Sequence, residues 1–314
     1  MARKNPLNMS KPVDKADAII AETLGLPTTP LPCLRRRSVD SHKGTYGHGL
    51  VVGGSRGMAG AISLTTSAAL QCGAGLVTQA VPDRILDSVA ILNPPAMTLA
   101  LEDDDQGRIT VSAYGRIAEQ FQRVTCIACG PGMGRSADLQ KFVTRLISQA
   151  PVPCVVDADA LNNIVDAGGW PERCSAPRIL TPHPGEWSRI IGIPADDTPA
   201  QQRGAIAFAQ RHEVIVVLKG HHTLVTDGRS AYLNATGTPA MASGGSGDVL
   251  TGVIAALVCQ GLAARDAAVL GVYAHGLAGQ LAQRARPSRV VIATRLIDHL
   301  DEALASMQEA AIKD

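Results

Sequence analysis

Aromatic side chains are scarce, at 3% of the 314 residues, although 46% of the chain is hydrophobic. The apolar mass therefore rests on Ala, Val, Leu and Ile, which suits a parallel sheet wrapped by closely packed helices. No run reaches the roughly 18 uncharged apolar residues that a spanning helix needs, so no membrane partner is expected. The opening Met1-Ala2-Arg3-Lys4-Asn5-Pro6 lacks the apolar segment of a secretory signal, and a cytoplasmic location follows as the expectation. A formal net charge of +1 gives no basis for a nucleic-acid partner. The 7 cysteines are odd in number and scattered, which fits reduced thiols and excludes a full disulfide framework. Cys126 and Cys129 form a CxxC inside a strand-like stretch, where positions three apart face opposite sides and cannot share a metal. His48, His221 and His222 also lack ligand spacing.

What is present is an alternation. Residues 1–44 carry Pro, Lys and Arg with little periodicity and read as an arm, with a short helix expected over 14–24. Arg35-Arg36-Arg37 reads as solvated tail, and Glu102-Asp103-Asp104-Asp105 as an exposed loop. Residues 45–314 read as one domain. The spacing predicts strands at 49–54, 75–81, 124–129, 152–156, 178–181 and 214–218. Helices are expected over 59–72, 136–148, 158–165, after Pro184, and over 199–211. A hairpin over 224–233 turns at Asp227-Gly228, and helices near 248–260, 264–285 and 294–311 close the chain. Strands alternating with helices imply a three-layer α/β/α sandwich around a mainly parallel sheet.

Gly244-Gly245-Ser246-Gly247-Asp248 precedes the apolar run 249–259. Free N–H groups at a helix start, with the positive end of its dipole, make a site for phosphate oxygens. Glycine lets the chain approach an anion closely and turn several N–H groups toward it. A carboxylate does not help hold phosphate, so Asp248 needs another role. Deprotonating a hydroxyl that attacks a phosphoryl group supplies one, and an ordinary helix-start Asp is the alternative.

Ligands of open α/β sheets bind at the carboxyl ends of the strands, and the polar and glycine-rich segments fall there. After the expected strands come Gly53-Gly54-Ser55-Arg56-Gly57-Met58-Ala59-Gly60, Gly130-Pro131-Gly132-Met133-Gly134 and Asp157-Ala158-Asp159-Ala160-Leu161-Asn162. Thr181-Pro182-His183-Pro184-Gly185-Glu186 and Lys219-Gly220-His221-His222-Thr223 follow two more. Each alone is an ordinary connection. Their recurrence at equivalent strand ends is not explained by connection geometry.

In this order the segments, together with Gly73-Ala74-Gly75-Leu76-Val77, resemble the ribokinase-like fold and, within it, the ADP- or ATP-dependent NAD(P)H-hydrate dehydratases. The match runs from about residue 45 to about residue 310. The Gly/Asp nest is common to many small-molecule kinases of this fold, whereas 157–162 and 181–186 favour the dehydratases. The resemblance implies a lyase that repairs nicotinamide nucleotides: (6S)-NADHX or NADPHX, hydrated at ring C6, is returned to NADH or NADPH. Hydroxide is a poor leaving group, and phosphorylation of that oxygen by ADP or ATP, with Mg²⁺, makes it a good one. The ring nitrogen then expels phosphate, and loss of a proton restores the double bond.

The same resemblance assigns roles. Asp248 would take the proton from the C6 hydroxyl, and Gly245, Ser246 and Gly247 would supply an anion hole. Lys219, Gly220, His221, His222 and Thr223 resemble the stretch that holds the nucleotide, with a turn and a solvent-facing lysine as the alternative. His183 would contact the hydrated dinucleotide and Glu186 would act on Mg²⁺ through water, or both would simply cap a helix start. Ala59, Gly60 and Gly132 would line the dinucleotide side, or be structural only. Asp157 and Asn162 would hydrogen-bond substrate or order water, or cap the helix after them. Relatives of this kind imply a homo-oligomer, a homotetramer being expected. About 45 residues precede the match, too few for a fused epimerase domain, so a separate epimerase is the expected partner.

Three other functions compete. A small-molecule kinase of the same fold, acting on a thiazole or pyrimidine alcohol, would use Asp248 identically. An NAD-dependent oxidoreductase is disfavoured because the loop after 49–54 lacks GxGxxG spacing and an acidic residue about 20 positions on. A nucleotide-sensing binder would do better without Asp248 beside phosphate.

Overall fold

The computed structural model describes residues 24–308. Alternation along the strands sets the layers, because successive side chains leave opposite faces. Val51, Ala128, Val155, Ile179 and Val217 enter one core, while Leu50, Val52, Ile127, Val156, Leu180 and Val216 enter the other. Cys126 and Cys129 divide in the same way and are buried on opposite faces. The first core is covered by α1 (Ala59–Gln71), α2 (Leu86–Leu92), α8 (Ser246–Cys259), α9 (Ala264–Ala285), α10 (Ala293–Ile297) and α11 (Leu300–Ala305). The second is covered by α3 (Tyr114–Ala118), α4 (Ala137–Gln149), α5 (Ala158–Asp166), α6 (Pro184–Ile191) and α7 (Thr198–His212). The expected three-layer sandwich is what forms.

The strands are β1 (His48–Val52), β2 (Leu76–Pro82), β3 (Met97–Leu101), β4 (Cys126–Cys129), β5 (Cys154–Val156), β6 (Arg178–Leu180), β7 (Ile215–Leu218), β8 (Leu224–Thr226) and β9 (Ala231–Leu233). They make one 9-stranded sheet in the order β3-β2-β1-β4-β5-β6-β7-β8-β9. Pairings from β3 across to β7 are parallel, and only β7–β8 and β8–β9 are antiparallel. The chain moves outward from β1 to β3 and then crosses back to β4, so β1 and β4 flank the topological switch point.

Three departures from the sequence reading have local causes. α2 and β3 were not anticipated: β3 is a five-residue edge strand of mixed exposure, so it carries no clean period-2 signal. The closing helix expected over 294–311 is instead α10 and α11 as far as residue 308; residues 309–311 lie outside the described residues. The His299 ring donates from Nδ1 to the Arg295 carbonyl (2.9 Å), and its backbone N–H turns to Leu296 (3.2 Å), which breaks the helical ladder. The arm is not a free tail where it is described. Thr29 N–H donates to the Ala231 carbonyl (3.2 Å) and Ala231 N–H to Pro27 (3.1 Å), capping the β9 edge. Arg37, read as solvated, donates to the Gly73 carbonyl and lies 3.8 Å from the Tyr46 ring centroid. The helix expected over 14–24 falls, apart from Leu24, outside the described residues.

Buried α8 is held against α1 by a close approach: a Cβ on Gly252 would sit 2.1 Å from the Thr65 carbonyl oxygen. Thr65 Oγ1 in turn donates to the Asp248 carbonyl (3.0 Å), tying the first turn of α8 to the helix that follows β1.

Candidate active site

The glycine nest forms the N-terminus of α8. Gly245 is its N-cap in the left-handed region (φ 87°), which a side chain would strain, and no side chain caps the helix. Among the described residues, the N–H groups of Gly245, Gly247 and Asp248 find no acceptor. Ser246 N–H points at the Ser243 carbonyl at 3.5 Å, so it is the weaker candidate for the anion hole. These amides open on a cleft of about 850 Å³.

Asp248 stands in the first turn of α8, and its carboxyl faces the cleft without a hydrogen bond inside the protein among the described residues. Burial raises its pKa to about 7; the neighbouring Asp157, Asp159 and Glu186 charges add to the rise and Lys219 opposes it. It is thus half-ionised near neutral pH, the range in which a general base is most effective.

Lys219 is not a solvent-facing turn residue. Its Nζ lies 2.9 Å from Asp157 Oδ1, and a Cβ on Gly247 would be 3.1 Å away, so the ammonium sits beside the nest. Burial works against its charge, but the Asp157, Glu186 and Asp248 carboxylates outweigh it and raise the pKa. Asp157 does not cap α5, as one reading supposed. It is 1% exposed, and its second oxygen accepts from Thr251 Oγ1 (2.7 Å), one turn beyond Asp248. The residue after it, Ala158, adopts φ 50°, in the left-handed region that strains a side chain.

His183 and Glu186 form a capping box at the start of α6. His183 Nδ1 accepts from Gly185 N–H (3.0 Å) and Glu186 N–H (3.3 Å), and Glu186 Oε2 accepts from His183 N–H (2.8 Å). The capping role therefore accounts for Nδ1. The His183 side chain is 57% exposed, its Nε2 lies 3.6 Å from Glu186 Oε1, and both residues line the cleft. Burial raises the Glu186 pKa, with Lys219 opposing and Asp157 adding to it. Among the described residues no group of three or more His, Cys, Asp or Glu could hold a metal by itself. Mg²⁺ taken up with nucleotide phosphates does not need one, since it keeps several waters and one or two carboxylates.

Gly220, His221, His222 and Thr223 form the β7–β8 turn and line the cleft with Lys219. Thr223 Oγ1 donates to Gly220 (3.2 Å), and the two imidazole rings stack edge-on at 4.2 Å. Ala59, Gly60 and Gly132 lie elsewhere, at the β1/β4 switch point, and do not line this cleft. Ser55 Oγ donates to the Gly132 carbonyl (2.8 Å), and a Cβ on Gly132 would meet the Met58 carbonyl at 2.8 Å. Asn162 is turned toward Arg189 on α6 and does not face the cleft. Its neighbour Asn163 donates to the Gly134 carbonyl (2.8 Å), and Asp159 accepts from Gly134 N–H (2.9 Å), fixing that glycine loop.

Residue order alone missed Thr251, Asn234 and His275. Thr251 carried a usable signal, being three positions after Asp248 and so one turn away on the same helix. Asn234, just after β9, and His275, on α9, reach the cleft, and nothing in their flanking residues signals it.

The NAD(P)H-hydrate dehydratase family matches residues 49–302. A bifunctional NAD(P)H-hydrate repair enzyme of Moorella thermoacetica is 41% identical over 279 residues, 88% of this chain and 52% of that protein. The ADP-dependent (S)-NAD(P)H-hydrate dehydratase of Neisseria meningitidis serogroup B is 37% identical over 257 residues, 79% of this chain and 81% of that protein. The ADP/ATP-dependent NAD(P)H-hydrate dehydratase of Bacillus subtilis, co-crystallised with ATP/Mg²⁺, superposes with a TM-score of 0.76 at 30% identity. That superposition covers 88% of this chain and 95% of the other. The chain spans about half the length of the bifunctional relatives.

Proposed function

The chain belongs to the NAD(P)H-hydrate dehydratase family, and we propose that it uses ADP or ATP to dehydrate (6S)-NADHX and NADPHX back to NADH and NADPH. The observation that carries this reading is a single carboxyl, Asp248, tuned to about pH 7 beside unpaired helix amides and the Lys219 ammonium.

Asp248 accepts the proton of the C6 hydroxyl. The freed oxygen attacks the terminal phosphorus, and the bond to the departing nucleotide breaks. Gly245 and Gly247 amides, with Lys219 beside them, hold the charge that builds on the phosphoryl oxygens. The ring-nitrogen lone pair then expels inorganic phosphate, and loss of a ring proton restores the double bond. One nucleotide phosphoanhydride is consumed for each water removed. Mg²⁺ would be water-linked to Glu186 and would neutralise phosphate charge. His183 Nε2 would contact the dinucleotide, which extends toward Ala59, Gly60 and Gly132 at the switch point. His221, His222 and Thr223 would border the nucleotide.

An epimerase activity would supply the S configuration. Exposed Ile91, Leu92 and Met97 at the α2–β3 turn support a symmetric oligomer, and light scattering tests the expected tetramer. The function is tested by incubating the protein with hydrated NADH, ADP or ATP, and Mg²⁺. Return of reduced-nicotinamide absorbance with stoichiometric phosphate is the expected result. Accumulation of a stable phosphorylated alcohol from a thiazole or pyrimidine substrate would favour the kinase instead.

A further inference from the structure

His275 belongs to none of the motifs above, yet its ring reaches the nest from α9, a helix otherwise rich in small apolar residues. Nε2 lies 2.9 Å from the Ser246 carbonyl oxygen and 3.4 Å from Ser246 Oγ. A carbonyl can only accept, so Nε2 carries the proton and donates. Burial lowers the pKa to about 4, with Lys219 adding to the fall and the Ser246 bond opposing it; the ring stays neutral at physiological pH.

The Ser246 carbonyl and the Gly247 N–H are two ends of one planar peptide unit. Fixing the oxygen fixes the direction of the N–H, and drawing electron density toward the oxygen makes that N–H a stronger donor. Gly247 N–H is among the unpaired amides, and its residue lies against Lys219. The α9 turn that carries His275 is itself pinned. Asn234 Nδ2 donates to the Val272 carbonyl (3.1 Å) and Thr236 Oγ1 to Tyr273 (2.8 Å). A Cβ on Gly276 would collide with Thr236 Oγ1 at 2.3 Å, so α9 approaches the 234–238 loop closely.

We propose that His275 is a positioning residue for phosphoryl transfer: through the Ser246 carbonyl it aims the Gly247 amide at the migrating phosphoryl group. This role depends on the phosphoryl-transfer reading given above and deepens it. An anion hole acts on charge present mainly in the transition state, so H275F should lower kcat about tenfold or more while the nucleotide KM changes little. H275Q, whose amide N–H reaches the same carbonyl, should recover most of that loss. The Gly247 amide cross-peak in a ¹H–¹⁵N spectrum with ADP and Mg²⁺ should move in H275F and return toward the wild-type position in H275Q. Should H275F fail to fold, H275N, whose side chain is too short to reach, replaces it.

Unchanged kcat in folded H275F, or an H275Q as impaired as H275F with an unmoved Gly247 peak, overturns the proposal. A wild-type protein without turnover on hydrated NADH defeats the dehydratase reading separately. The Gly247 peak in the two variants then decides the role of His275 alone: movement in H275F with return in H275Q upholds it, and no movement defeats it.

Discussion

Lys219 Nζ and Asp157 Oδ1 lie 2.9 Å apart, joining the end of β7 to the end of β5 beneath the first turn of α8. The pair holds the ammonium beside Gly247 and places a second negative charge near Asp248. Stability and the proposed phosphoryl transfer therefore draw on the same few side chains.

The rate should follow ionisation of Asp248. Its pKa is raised to about 7, so the basic form gains with rising pH and kcat/KM should climb to a plateau above that value. Asp157→Asn removes a neighbouring negative charge and loosens Lys219. The lost Asp157 charge is one that raises the Asp248 pKa, so the inflection should shift to lower pH, while the displaced ammonium lowers kcat about tenfold or more. A pH–rate profile of both proteins checks the direction; an inflection that moves upward contradicts it.

Asp248→Asn should keep nucleotide affinity and lose most turnover, by about three orders of magnitude or more, since charge and base vanish while shape remains. It should also gain stability. In wild type the folded pKa of about 7 exceeds the unfolded value near 4, so the unfolded chain releases this proton first. The contribution of this group is intact below about pH 4 and is lost as pH rises through about 7. The melting temperature of the variant should therefore exceed that of wild type at about pH 8, with the gap closing toward acid.

Lys219→Met leaves Asp157, 1% exposed, without its cation, and should cost about 3–5 kcal/mol of stability. The double variant Lys219→Met/Asp157→Asn should recover much of that, because no uncompensated charge remains buried. Denaturant unfolding of the three proteins measures the coupling. Equal losses in single and double variants would show that the pair is screened by water.

Gly252→Ala places a methyl 2.1 Å from the Thr65 carbonyl oxygen and must push α1 away from α8. About 3 kcal/mol of destabilisation is expected. Activity should fall too, because Thr65 also holds the Asp248 carbonyl (3.0 Å). Unchanged melting temperature and rate would contradict the close approach.

The sequence by itself determined the layered α/β architecture, because strand alternation and glycine punctuation are local properties that survive in one dimension. It marked the nest at 244–248 for the same reason: a left-handed Gly245 and a helix start are written in adjacent residues. The tertiary structure alone decided which charges meet. Asp157 and Lys219 are 62 positions apart, and whether that carboxylate caps α5 or holds the ammonium depends on β5 and β7 flanking β6 in the sheet. The raised pKa of Asp248 likewise comes first from burial and then from charged groups brought in from distant strand ends. His275 was silent in the sequence because a lone histidine on an alanine-rich helix gains its partner only when α9 packs across the start of α8.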